Sequence, residues 1–267
     1  MELIGMELVR EVIESVILTG RLKEHDPVSV LLIASPESGK TSVVLEKECA
    51  CMCVLTDCTG RGLQELCKMK PEITHICIND LVAVTAHKSS VSRYTMAMLN
   101  AMTEEGIMAT AFPGTIEQFK NGRRGLIASI PTTMAKDGRQ WWIKSGLSSR
   151  MIPFAFKHSE DLNIRIKAEI TKDRNTPTRK KGTFHIPAAY IRVHITPQHA
   201  KTIQALAETV STKLNEEGYR RLKQFRALTC AHTLLRTWRN PSVTEKDLDF
   251  LSRIIPYISY TKPREIG

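Results

Sequence analysis

VSVLLIASPESGKTSVVLEK, residues 28–47, is the stretch from which the rest of the chain is read. An unbroken apolar run of this length suits a strand buried on both faces of a parallel sheet. It gives way to Ser35-Pro36-Glu37-Ser38-Gly39-Lys40-Thr41 and then to helix-forming residues, so the order is strand, loop, helix. The phosphate-cradling pattern is Gly, four residues, then Gly-Lys-Ser/Thr. Gly39, Lys40 and Thr41 satisfy it, while Ala34 stands in the place of the first Gly. The physical logic survives that substitution: backbone N–H groups and a helix N-terminus offer positive potential to phosphates, Lys40 adds a mobile charge, and the Thr41 hydroxyl can ligate Mg²⁺.

On the amino-terminal side, residues 5–23 carry apolar side chains at roughly helical spacing with Glu and Arg between them, and His25-Asp26-Pro27 ends that helix. On the carboxyl-terminal side, residues 50–57 read as a second strand, 63–69 as a helix, and Thr74–Asp80 as a third strand that ends in a carboxylate. An acid in that place organises Mg²⁺ in nucleoside triphosphatases, where the usual ending is Asp-Glu. Here it is Asn79-Asp80. Either Asp80 is the metal-side acid, or Asn79 takes that position and Asp80 polarises the attacking water; the second option implies slow hydrolysis.

Residues 89–106 read as a helix with Val91, Tyr94, Met98, Leu99 and Met102 on its apolar face. Turn signals at Pro113-Gly114 and Asn121-Gly122 make residues 107–124 a β-hairpin with a basic tip of Lys120, Arg123 and Arg124. Leu126–Ile130 re-enters as a core strand and Met151–Phe156 as a fifth. Such strand–helix alternation implies a doubly wound parallel αβα sandwich with its ligand at the carboxyl ends of the strands. Residues 157–186 are charged and turn-rich and read as a linker or insertion, and 187–267 as a small α-helical domain.

Composition bounds the function classes. The chain has 267 residues, 42% hydrophobic and 25% charged, ordinary values for a globular protein. No segment reaches the roughly 18 apolar residues of a membrane span, and acidic residues interrupt the apolar start as they do not in a signal peptide. A cytoplasmic protein is expected. A net charge of +10, carried in clusters, points to a polyanionic partner. Four of the seven cysteines, Cys49, Cys51, Cys53 and Cys58, are dense enough to hint at metal, but period-two spacing on a strand would put three in a row, poor for tetrahedral closure. They are expected to be small buried apolar residues.

In this order the parts resemble an AAA+ ATPase, and within that class the motor module of minichromosome maintenance helicases. SPESGKT is similar to a Walker A motif, ICIND to Walker B, GLIASIP to the sensor-1 strand, and GLSSRMIPFAF to the strand entered through the family's Leu-Ser-Arg. Arg150 thereby falls on the arginine-finger position, and TEEGIMATAF with RRGLIASI resembles a presensor hairpin that aims a basic residue into a ring pore. YRRLKQFRALTCAH and SVTEKDL resemble a lid's sensor-2 helix and its closing helix, with Arg220 as the sensor-2 residue and Arg221 or Arg226 as replacements. The departures are Ala34, Asn79-Asp80, Ser129 or Thr132 where the sensor-1 Asn is expected, and no separate amino-terminal DNA-binding domain.

The resemblance covers residues 28–156 and 195–258. It implies an AAA+ core and helical lid, ATP and Mg²⁺ as cofactors, and a homo-oligomer, a hexameric ring or helical assembly. It further implies hydrolysis at subunit interfaces coupled to DNA, as in a helicase, loader or remodeller of a virus or mobile element. A slow nucleotide-gated switch recruiting a protein partner is the alternative. A protein-remodelling ATPase using Phe112 or Phe119 in a pore loop is a third.

Overall fold

The computed structural model describes residues 3–107, 109–112, 115–119, 122–137, 146–171 and 184–267. Helix α1 (Glu7–Thr19) leads to β1 (Ser29–Ala34), α2 (Lys40–Glu46), β2 (Met52–Leu55), α3 (Gly60–Met69) and β3 (His75–Ile78). Two helices follow, α4 (Leu81–Ala86) and α5 (Ser89–Glu104), then β4 (Ala109–Phe112) and β5 (Thr115–Gln118). Strand β6 (Gly125–Pro131), α6 (Thr132–Asp137), the short turn α7 (Leu147–Arg150) and β7 (Met151–His158) complete the central part. The chain ends with α8 (Glu160–Ile170), α9 (Pro197–Leu214), α10 (Tyr219–Leu234), α11 (Glu245–Ile254), a 3₁₀ turn (Ile255–Tyr257) and β8 (Arg264–Ile266).

Six strands form one sheet in the order β2-β3-β6-β1-β7-β8, and every pairing in it is parallel. Strand β1 is buried at all six positions, as its apolar run requires when both faces are covered. Side chains alternate between the two faces. Val30, Leu32, Ala34, Ile127, Phe154 and Phe156 join α1, α2 and the carboxyl-terminal helices in one apolar cluster. Leu31, Ile33, Ile76, Leu126, Ala128 and Ala155 join α3, α4, α5 and α6 in another. The fold is therefore α/β, a parallel sheet sandwiched by helices.

The hairpin expected at 107–124 is present as the antiparallel pair β4–β5, with Ala109 opposite Gln118 and Phe112 opposite Thr115. Its Pro113-Gly114 turn and Lys120 lie outside the described residues. The expected face of α5 is rotated: Ser92, Thr95, Met96, Leu99, Met102 and Thr103 are buried, whereas Tyr94 is 38% exposed. Small hydroxyls tolerate this burial because the helix satisfies them itself, with Thr95 Oγ1 donating to Val91 O at 2.8 Å and Thr103 Oγ1 to Leu99 O at 2.8 Å. Residues 157–171, expected to open a linker, extend β7 and form α8, whose start is capped by Ser159 accepting from the Leu162 N–H at 3.2 Å. Strand β8 adds an edge that three residues of sequence could not announce.

The carboxyl-terminal helices begin where caps place them. Thr196 accepts from the His199 N–H ahead of α9, and Thr244 with Asp247 forms a capping box at α11. These helices do not enclose a core of their own: α1 packs along α10, and both belong to the cluster that covers one sheet face. A polar knot ties the junction. His232 of α10 lies between Asp247 of α11, at 2.6 Å from Nδ1, and Glu11 of α1, at 2.9 Å from Nε2, with its ring stacked on Phe250 at 4.3 Å. Among the described residues no helix is long and apolar enough to cross a membrane.

Burial opposes a charge on His232, but its bonds to Asp247 and Glu11 outweigh burial and raise its pKa above 6.5. Burial likewise works against the Asp247 charge, and the His232, Thr244 and Arg236 bonds still draw it down to about 2 from 3.8. The signs differ. The raised His232 contributes fully below pH 6.5 and loses its contribution as pH rises through its folded value; the depressed Asp247 contributes above pH 3.8 and loses it as pH falls towards 2. His232→Gln is expected to cost about 3 kcal/mol in urea unfolding near pH 6, because Asp247 is left buried with one cation fewer. That cost should shrink at higher pH, and a difference constant across the neutral range would contradict the assignment.

Candidate nucleotide-binding site

The chain leaving β1 heads for β2 at one edge of the sheet, whereas the chain leaving β6 and β7 heads for the β8 edge. Connections thus reverse direction at the carboxyl end of β1, the place where open α/β sheets form a ligand crevice. Residues Ser35–Gly39 occupy it. Glu37 and Gly39 have positive φ, 63° and 77°, so the loop curls back on itself. Gly39 answers a conformational need rather than a shortage of space, since an added Cβ would meet nothing nearer than Leu3 Cδ2 at 3.4 Å.

Lys40 folds back over this curl. Its ammonium donates to Ala34 O at 2.8 Å, Ser35 O at 2.7 Å and Ser38 Oγ at 3.2 Å, which uses its full donor set. Burial lowers the Lys40 pKa, and the negative charge of Asp80 opposes that shift. Ala34, where the pattern has Gly, is fully buried as the last residue of β1 and lies opposite Pro131. Its methyl is packed in the core, and its carbonyl, the part the loop uses, is unaffected. Pro36 and Thr41 are exposed on the rim.

Three strands bring their carboxyl ends to this edge. Ser129, one strand from the loop, donates its hydroxyl to the Asn79 carbonyl at the end of β3 and is 6% exposed. That hydroxyl clamps β6 to β3. Asp80 is exposed and caps α4, accepting from the Val82 N–H at 2.9 Å. The last residue of β7, His158, reaches Ser38 O at 3.2 Å. Sequence reasoning ended that strand at Phe156 and missed the contact; two more residues in strand period were the available signal. Among the described residues no three His, Cys, Asp or Glu side chains gather into a metal cage.

The cationic residues stand elsewhere. Arg150 closes α7 at the amino end of β7, so the eight-residue strand separates it from the loop that His158 touches. At about 3.3 Å per residue that is a separation of roughly 23 Å. In its own chain Arg150 pairs with Glu104 at 2.6 Å and donates to Gly146 O at 2.6 Å. Arg220 also pairs with Glu104 and donates to Ser149 Oγ at 2.8 Å. Arg221, the first replacement for it, is 1% exposed and locked on Glu216, Gln224 and Met151 O.

The hairpin cations are placed differently from the expectation. Arg123 pairs with Asp26 at 2.7 Å, and Arg124 is 2% exposed and bonded to Pro71 O and Arg123 O. Both sit at the hairpin base, beside the amino end of β6, because the chain must turn there to enter the sheet. Phe119 is half-buried against the second apolar cluster, which takes it away from a free pore loop.

The chain matches no protein-family model and no curated protein. A cleft of about 1030 Å³ lies at the amino edge of the sheet and not at the loop. Arg123, Arg150, Arg192, Arg220, Lys223 and Arg226 line it against Glu24, Asp26 and Glu104. The loop is a candidate on its chemistry, since a cradle of backbone groups on a rim encloses little volume.

Burial alone would raise the Glu104 pKa, but the Arg220 bond and the Arg150 charge bring it below 4.5. Glu104→Gln should leave two guanidinium groups facing each other and lower the melting free energy by about 1 kcal/mol at low ionic strength. Raising the salt concentration should recover most of the loss, and a salt-independent loss would mean that packing, not charge, is what Glu104 provides.

Proposed function

We propose that the chain is an AAA+-like ATPase that binds ATP with Mg²⁺ at the Ser35–Thr41 loop and completes its catalytic site with a neighbouring copy. The observation that carries this reading is the Lys40 ammonium, held over loop groups at the point where the sheet's connections reverse. An ammonium so placed can exchange its carbonyl partners for phosphate oxygens with little movement. Mg²⁺ bound with nucleotide keeps waters and phosphate oxygens as most of its ligands and takes one or two from protein. The Thr41 hydroxyl and the Asp80 carboxylate are hard oxygen donors of that kind, and such a site needs no three-residue cage.

Each residue then has a bounded role. Loop amides and Lys40 neutralise phosphate charge, Thr41 and Asp80 hold the ion, and Asn79 or Asp80 orients water. Arg150 and Arg220 stand too far from their own loop to touch its nucleotide, so a role at a phosphate requires a second chain, which supports the oligomeric part of the reading. A guanidinium given in trans adds about 10³–10⁵ in rate. The α9–α11 helices, in this reading, are the lid.

A slower second reading has its own observation. The Ser129 hydroxyl is spent on the Asn79 carbonyl, and the strand ends in Asn-Asp, so the chemistry beside the γ-phosphate is thinner than in a brisk hydrolase. A nucleotide-gated assembly that recruits a protein partner meets those facts.

Lys40→Ala should weaken Mg-ATP binding at least tenfold, about 1.4 kcal/mol, by calorimetry. Arg150→Ala should leave binding intact, lower turnover by about 10³ or more, and be rescued by mixing with Lys40→Ala chains if the site is shared. Persistent monomers with ATP would end the shared-site reading, and brisk turnover strongly stimulated by DNA would end the slow-switch one. Coupling to DNA now rests on Lys120, since Arg123 and Arg124 are engaged within the chain. Lys120→Ala should reduce the slope of log affinity against log salt by about one; an unchanged slope would remove the pore assignment.

A further inference from the structure

The cysteines ahead of β2 do not form the row on a strand face that their spacing implied. Strand β2 begins at Met52, whose N–H donates to Cys49 O at 3.0 Å, so Cys49 and Cys51 are the first and third residues of a β-turn. Turn closure holds their Cα atoms in the range of roughly 4.4–6.8 Å that a disulfide spans. Their sulfur atoms are 3.1 Å apart. Both residues line a cleft of about 410 Å³ between the end of α2 and residues 184–188, with Arg21 on its wall. The pair is therefore close and correctly spaced, with Cys49 half-buried and Cys51 1% exposed behind it on the cleft wall, so a reagent small enough to enter the cleft is the one that fits.

We propose that Cys49 and Cys51 are a dithiol that a hydroperoxide oxidises to an intraloop disulfide and that a small thiol reduces again. The Cys51 sulfur attacks a peroxide oxygen, the O–O bond breaks, and the leaving oxygen takes a proton, giving an alcohol, or water from hydrogen peroxide, and a sulfenic acid. The Cys49 sulfur then forms the S–S bond while its proton leaves with the sulfenic hydroxyl as water. Two thiols lose two electrons and the peroxide gains two. Attack by a reducing thiol on either sulfur, followed by a second, reverses the step.

Electrostatics divides the labour. The hydrogen bond from Cys49 draws the Cys51 pKa below its ordinary value against burial, helped by Thr74 and Arg21, and the same bond raises Cys49, the proton donor. The thiols of Cys58, Cys77 and Cys230 are pushed up to about 12, mainly by burial, which makes them poor competitors.

The full chain, treated with one equivalent of hydrogen peroxide, alkylated, digested and sequenced by tandem mass spectrometry, tests this. The expected product is a Glu48–Arg61 peptide two hydrogens lighter, with the bond between Cys49 and Cys51, and dithiothreitol should restore it. A Cys53→Ser/Cys58→Ser chain should form the same bond, and Cys51→Ser should consume peroxide at least tenfold more slowly. A bond from Cys51 to Cys53, or full alkylation of Cys49 and Cys51 after peroxide, overturns the proposal. The mapping on the unmutated chain decides the matter even where a variant folds poorly.

Discussion

Burying six consecutive residues of β1 removes every one of their backbone N–H and C=O groups from water, and each must find a partner in protein. Two parallel neighbours, β6 and β7, supply those partners along almost the whole strand. Parallel neighbours in turn require crossover connections, and the helices that cross bring the apolar faces that cover both sides of the sheet. The demand made by one stretch thus propagates outward to α1, α2, α5 and the carboxyl-terminal helices. It also fixes the loop: a strand with no freedom to slide delivers Ala34 O and Ser35 O to one place, where Lys40 finds them.

The same constraint sorts the charges. With the sheet interior closed to ions, polar side chains collect at its two ends. The carboxyl edge holds the Lys40 loop, Asp80, Ser129 and His158, and its backbone groups are oriented but weakly enclosed. The amino edge holds Arg123, Arg150 and Arg220, each bound to an acid of the same chain. A positive total therefore overstates the positive surface. The +10 net charge includes guanidinium groups, such as those of Arg124 and Arg221, that bond backbone or acid partners inside the fold.

What the sequence made legible follows from period and punctuation. The apolar runs at 28–34, 74–78 and 126–130 are long enough, and bare enough of polar residues, that a buried parallel strand is the one economical reading. The capping box at Thr244 and the turn residues around the hairpin are local signals with local causes. Helix α8 was hidden because its charged face outnumbers its single buried residue, Leu162, so that composition resembled a linker. The rotation of α5 was hidden because buried hydroxyls bonded to their own helix count as polar in any pattern. At the site, loop and acid were visible as motifs, whereas the His158 contact, the Ser129 clamp and the pairing of Arg123 with Asp26 join residues 50 to 120 positions apart or depend on which edge of the sheet a turn occupies. Spacing along the chain carries no record of that.

The separation of Lys40 from Arg150 is the constraint that the fold places on the proposed shared site. Both belong to segments attached to adjacent parallel strands, β1 and β7, but one follows its strand and the other precedes its own. Parallel pairing therefore places them at opposite ends, and no rotamer of a side chain roughly 7 Å long closes a gap of about 23 Å. Domain closure is a poor remedy, because the strand that separates them is part of the sheet's core. A head-to-tail contact between two chains, by contrast, sets an amino edge against a neighbour's carboxyl edge, and with a rotation at each step its repetition closes into a ring or continues as a helix. The arrangement of one molecule thus dictates the geometry any shared site must have, whatever the speed of the chemistry performed there.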